Sequence, residues 1–151
     1  MAEFTNINDI LDFAIQNEQN AVEFYNELAK TARTEDMRST FTLFAQEEMG
    51  HRARLMKIKE EGIFSLPTAK VADLKIADYV VRTEAKGEMS YEQTLVLAMK
   101  REKAAFKLYL KLSEKAPNDN LKQLFLGLAQ EESRHKLRFE LEYDEFVLRE
   151  N

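Results

Sequence analysis

The sequence contains two histidines, and each stands three residues after a glutamate, as Glu48-Met49-Gly50-His51 and Glu132-Ser133-Arg134-His135. On a helix, an i, i+3 spacing puts both side chains over one patch of surface. Glu18 and Glu102 supply one more carboxylate from each of two further helical stripes. Four carboxylates and two imidazoles offer oxygen and nitrogen donors without thiolate, which suits iron or manganese and admits zinc on affinity order. Ionised carboxylates among apolar side chains need compensation, because one uncompensated buried charge costs several kcal/mol. No Lys or Arg occupies the inward positions of these stripes, so protein counter-charge is missing there. Two divalent cations would balance the four carboxylates, with neutral His51 and His135 as further ligands.

The elements that must position these groups are long helices. Leu11, Ala14, Glu18, Ala21, Tyr25, Leu28 and Ala32 recur at three- and four-residue steps after a start near Asn8-Asp9, which predicts a first helix. A second, over most of 35–61, carries Met37, Phe41, Phe44, Glu48, His51, Leu55 and Ile58 and stops at Gly62. Ser90-Tyr91-Glu92-Gln93 reads as a capping box opening a third stripe at Leu95, Ala98, Glu102, Ala105, Tyr109, Leu112 and Ala116, closed by Pro117. Asn118 caps a fourth, with Leu121, Phe125, Leu128, Glu132, His135, Phe139 and Phe146 read as inward.

The junctions near 33–36 and 117–119 are short, so helices one and two, and three and four, should pair as antiparallel hairpins. Residues 63–89 form a long connection. A helix of about 25 residues is about 38 Å long, a span these residues can cross, with a short helix expected near Asp73–Val81. Sliding the chain by 84 positions lays Ile15–Met56 on Met99–Glu140 without a gap, with 12 of 42 positions identical. Core packing accounts for some of these identities, but not for two glutamates and a histidine recurring in each copy.

At 151 residues the chain has the length of one domain, so a single domain over residues 1–151 is expected. Cys 0 removes disulfides, thiolate metal sites and cysteine nucleophiles. Gly 4 and Pro 2 argue against a strand-rich fold. A formal net charge of −5 argues against nucleic acid or anionic membranes as partners. No apolar run reaches the roughly 18 residues of a membrane span, and the first six residues lack a secretory pattern, so a cytoplasmic location is expected.

The six-residue pattern, one Glu from each of two helices and Glu-x-x-His from each of the other two, resembles the di-iron carboxylate proteins of the ferritin-like superfamily. The doubled Glu-Glu-x-x-His, with Glu-x-x-Ala-x-x-x-Tyr on the partner helix, is similar to the rubrerythrin branch over about residues 8–148. That resemblance implies a left-handed all-α four-helix bundle with a long crossover between helices two and three. It implies two iron ions, Glu18 with His51 on one, Glu102 with His135 on the other, and Glu48 and Glu132 bridging. Tyr25 and Tyr109 would hydrogen-bond ligand carboxylates. The implied activity is an oxidoreductase reacting Fe(II) with peroxide or dioxygen, served by a separate electron-donor protein and built as a homodimer.

Three features depart from the family pattern. There are no cysteines for a rubredoxin module, Ala105 stands where rubrerythrins tend to carry a further Glu, and few residues follow Phe146 for the short fifth helix of storage cages. A ferroxidase or iron-storage protein, and a structural bundle with a zinc site, are therefore alternative readings. Met49 matches the haem-ligating methionine of bacterioferritin in position alone, and an ordinary surface or interface methionine is the simpler reading.

Overall fold

In a computed structural model the described residues are 4–71, 74–81 and 89–150, and the chain divides into two compact units, over Phe4–Asp73 and Leu74–Asn151. Among the described residues no strand occurs, and no helix is long and apolar enough to cross a membrane.

The first unit is a helical hairpin. α1 (Ile7–Lys30) starts where the Asn6 side chain accepts the Asp9 N–H at 3.0 Å, two residues before the start read from the sequence. α2 (Glu35–Glu61) starts where Thr34 Oγ1 accepts the Met37 N–H at 3.1 Å. Such caps satisfy amide donors that have no partner within the first helical turn. α2 ends at Gly62, whose φ of 62° is the left-handed conformation that costs a residue bearing Cβ. Ile10, Leu11, Ala14 and Leu28 of α1 are buried, as are Met37, Phe41, Phe44, Leu55 and Ile58 of α2. Beyond Gly62 the chain buries Phe64 and Val71, the latter closing the single turn α3 (Thr68–Val71).

The second unit begins with buried Leu74, a 3₁₀ turn at Ile76–Asp78 and buried Tyr79. The short helix expected near residues 73–81 is thus three residues long where it is described; Asp73 lies outside the described residues. α4 (Tyr91–Lys115) opens on the expected capping box, with the Gln93 N–H donating to Ser90 Oγ at 3.1 Å and the Ser90 N–H to Gln93 Oε1 at 2.9 Å. Ala116 leaves the helical region at ψ 136°, as a residue before proline must. α5 (Asp119–Glu150) follows, with Asn118 Oδ1 accepting the Leu121 N–H at 3.0 Å.

Two expectations need correction. Phe146 is only partly buried, its ring edge lying on Tyr91 at 5.2 Å, and the inward position one step earlier is Glu142, 1% exposed. Glu142 tolerates burial because the Tyr91 hydroxyl donates to its Oε2 at 2.8 Å. A second, more exposed bond runs the other way, from the Tyr143 hydroxyl to Glu92 Oε1 at 3.2 Å, so α4 and α5 are clasped by two reciprocal Tyr–Glu pairs. Ala21, Ala32, Ala105 and Ala116 are half-buried rather than core, because Val22 and Ala29 on α1 and Leu108 and Ser113 on α4 turn further inward. Gly50 and Gly127, both mid-helix, have nothing within 4 Å of an added Cβ.

Two outcomes follow for chemical denaturation and titration. Gly62→Ala should destabilise by about 1 kcal/mol through its left-handed backbone, whereas Gly127→Ala, with open space for its methyl, should stabilise by up to about 1 kcal/mol. The hydrogen bond to Glu92, reinforced by the charge of that carboxylate, raises the Tyr143 pKa above its ordinary value. The clasp's contribution should therefore be complete below the ordinary tyrosine range and disappear as pH rises through the elevated value. Ultraviolet titration of wild type against Glu92→Gln should show one phenol moving down in pH.

Candidate metal centre

Each unit gathers three of the six residues singled out by the sequence. In the first, Glu18 comes from the middle of α1, and Glu48 and His51 from successive turns of α2; all three are at most 2% exposed. His51 Nδ1 lies 3.3 Å from Glu18 Oε2 and 3.3 Å from Glu48 Oε1. In the second, Glu102 comes from α4 and Glu132 and His135 from α5, again at most 1% exposed, with His135 Nδ1 3.4 Å from Glu102 Oε2. Within each trio, one ligand atom per residue falls within 4.8 Å of the others.

Mid-helix placement explains the precision of these trios. Backbone hydrogen bonds are fully satisfied there, so each Cβ direction is fixed, and the i, i+3 relation stacks Glu48 under His51 and Glu132 under His135. The donor chemistry fits a divalent transition ion. Two carboxylates balance its charge and an imidazole adds a nitrogen ligand without further charge. The spacing fits as well, since two ligand atoms about 2.1 Å from one ion and roughly 90–110° apart stand about 3.0–3.4 Å from each other.

Tyr25 and Tyr109, two turns beyond Glu18 and Glu102, are at most 1% exposed. Tyr25 meets the Phe44 ring edge-on at 6.3 Å, and Tyr109 stacks on Phe125 at the same centroid distance. Glu47 and Glu131 are partly exposed, and Met49 is 54% exposed on the outer side of α2. The buried carboxylate missed by the sequence reading is Glu142. It lies seven residues after His135 on the same stripe, between Phe139 and Phe146, the two positions read as inward.

The model of the rubrerythrin family matches residues 9–92 and again residues 93–151. The chain belongs to the rubrerythrin family. The two matched ranges divide the chain close to the start of α4, so each range contains one hairpin with its Glu, Glu and His. A solved structure described as a ferritin-like diiron-carboxylate protein from Thermotoga maritima is similar over 96% of this chain and 99% of its own, with a TM-score of 0.76 and 21% identity. That likeness shows the fold of this rubrerythrin-family chain to be the ferritin-like all-α four-helix bundle with a long crossover. No match is found among curated proteins.

The clusters make metal content a stability variable. Anaerobic Fe(II), Mn(II) or Zn(II) at about 100 times its Kd should stabilise the protein by about 2.7 kcal/mol. Calorimetric melts with and without a chelator would register the rise and its reversal.

Proposed function

We propose that the two trios hold one pair of iron ions, with Glu18 and His51 on one ion, Glu102 and His135 on the other, and Glu48 and Glu132 shared between them. The protein is then an oxidoreductase that reduces peroxide or dioxygen with electrons from ferrous iron. The single observation that carries this reading is the pair of buried trios, identical in residue type and order, each built from two facing helices. Membership in the rubrerythrin family and the likeness to a protein described as diiron-carboxylate support it.

A ferrous pair supplies two electrons, enough to turn one peroxide and two protons into two waters. The chain's own residues do the rest. Glu18, Glu48, Glu102 and Glu132 would neutralise the ions, and His51 and His135 would complete the ligand set through nitrogen. The apolar residues around them, Tyr25, Phe44, Tyr109 and Phe125 included, exclude bulk water and so strengthen every charge interaction inside. In this reading the Tyr25 and Tyr109 hydroxyls would donate to ligand carboxylates and hold their orientation. These 151 residues hold no cysteine for a thiolate iron centre, so this reading assigns the return of electrons to a carrier outside them.

Anaerobic loading should saturate at two Fe(II) per chain, and one equivalent of peroxide should then be consumed with oxidation of both ions. Glu48→Ala with Glu132→Ala should abolish binding of both ions while far-ultraviolet dichroism stays helical. Retention of two ions would refute the bridging assignment, and oxidation continuing far past two equivalents would identify an iron-storing ferroxidase instead. A site that takes zinc and leaves peroxide intact would make the protein a structural bundle.

A further inference from the structure

The outer face of α4 departs from the acidic character of the chain. Lys100, Lys103 and Lys107, all exposed, line one side of a cleft of about 330 Å³ whose other walls are Val80, Val81, Ala104 and Asp78. None of the three makes an ion pair among the described residues, whereas Lys111, one turn further along, is held by Glu114 at 3.4 Å. The i, i+3, i+7, i+11 spacing sets the four lysines in one row, roughly 17 Å long at 1.5 Å per residue. That length exceeds a small anion and matches a stretch of acidic protein surface. At 100° per residue, Lys100, Lys103 and Lys107 lie on the side of α4 away from Glu102, so the row and the metal-facing carboxylate are separated by one helix diameter, about 10 Å.

We propose that the Lys100, Lys103 and Lys107 cleft docks an acidic one-electron carrier protein that returns electrons to the metal pair through α4. The inference rests on the reading that the trios hold iron. The chain's net charge of −5 repels an acidic partner elsewhere, so the local positive field of this row selects both the face and the orientation of approach. Val80, Val81 and Ala104 provide the small apolar patch that such an encounter buries between its charges. Transient electron-transfer complexes are small and polar, which an open cleft rimmed by exposed lysine side chains satisfies. With a flavin carrier the step balances in electrons: an anionic hydroquinone gives up one electron and becomes the neutral semiquinone, and two carriers return two ferric ions to ferrous without proton exchange.

Flavodoxin, a small acidic flavin protein, is the probe. Its oxidised form would be titrated calorimetrically into the metal-free protein at low ionic strength, and its hydroquinone mixed with the iron-loaded protein in stopped flow. Lys100→Glu/Lys103→Glu/Lys107→Glu should weaken binding and slow reduction by about tenfold or more. Lys57→Glu/Lys70→Glu/Lys122→Glu makes the same charge change at exposed lysines elsewhere and should change both by less than about twofold if the field is local. Equal effects of the two triple variants, or none from either, would overturn the proposal, as would a wild-type protein that binds citrate in the cleft but not flavodoxin. Calorimetry needs no metal, so a protein that docks flavodoxin but takes up no iron would refute the iron reading and leave the docking face standing.

Discussion

Burying carboxylates is the constraint around which each hairpin is organised. Removing a carboxylate from water carries a penalty of several kcal/mol even after relaxation, and each hairpin places two beside an imidazole in its core. Hydrophobic packing cannot offset this charge by charge. It can only hold the helices so that the electrostatic problem has one geometric solution, a cation seated among the donors. The ligands therefore sit mid-helix, far from the ends where backbone amides and carbonyls need caps and where the chain can fray. Capping by Asn6, Thr34, Ser90 and Asn118 fixes where each helix begins, and so sets the rotational phase that turns Glu18, Glu48, Glu102 and Glu132 inward.

The duplication shows which parts of that solution are free to vary. Across the 84-residue register the ligand types are unchanged, yet positions two or three turns away on the same helices differ. Ile7 and Ile58 are buried apolar residues of the first hairpin, and their counterparts Tyr91, half-buried, and Glu142, buried, form a hydrogen bond in the second. Both arrangements are self-consistent, because each leaves no polar group without a partner of suitable chemistry. A mixed pair, isoleucine against Glu142, would strand a carboxylate in apolar surroundings. Such positions can change only together, whereas a ligand position is fixed by what it must bind.

Most of the helical framework was legible before any coordinates, since a period near 3.6 across 24 to 32 residues is a strong signal and Thr34, Ser90, Gly62 and Pro117 punctuate it. The six candidate ligands were legible for a different reason: charge recurring on an apolar stripe contradicts burial unless something compensates. The connection between the hairpins was not. Phe64, Leu74 and Tyr79 are buried by tertiary contact from irregular backbone and Val71 from a single helical turn, which leaves no period to read, and the expected helix near residue 76 is only a 3₁₀ turn. Glu142 was missed because the stripe was followed in a seven-residue stride from Phe139 to Phe146. Helical geometry asks for steps of three or four, and an even application of that rule would have found the carboxylate.

One helix can serve two electrostatic tasks because its faces are separated by its own diameter. α4 turns Glu102 into the core and the lysine row into solvent, and the backbone between them keeps opposite charges about 10 Å apart. At that separation a lysine in water is screened over a Debye length of about 8–10 Å, so it offers little compensation to the buried carboxylate. The outward lysines therefore cannot stand in for a metal ion. Conversely, once a cation neutralises Glu102 the inner face contributes little field outside, and the outer face of α4 presents the potential of its lysines undiminished. Loading the core and attracting an acidic partner are in this sense electrostatically separable functions of a single element.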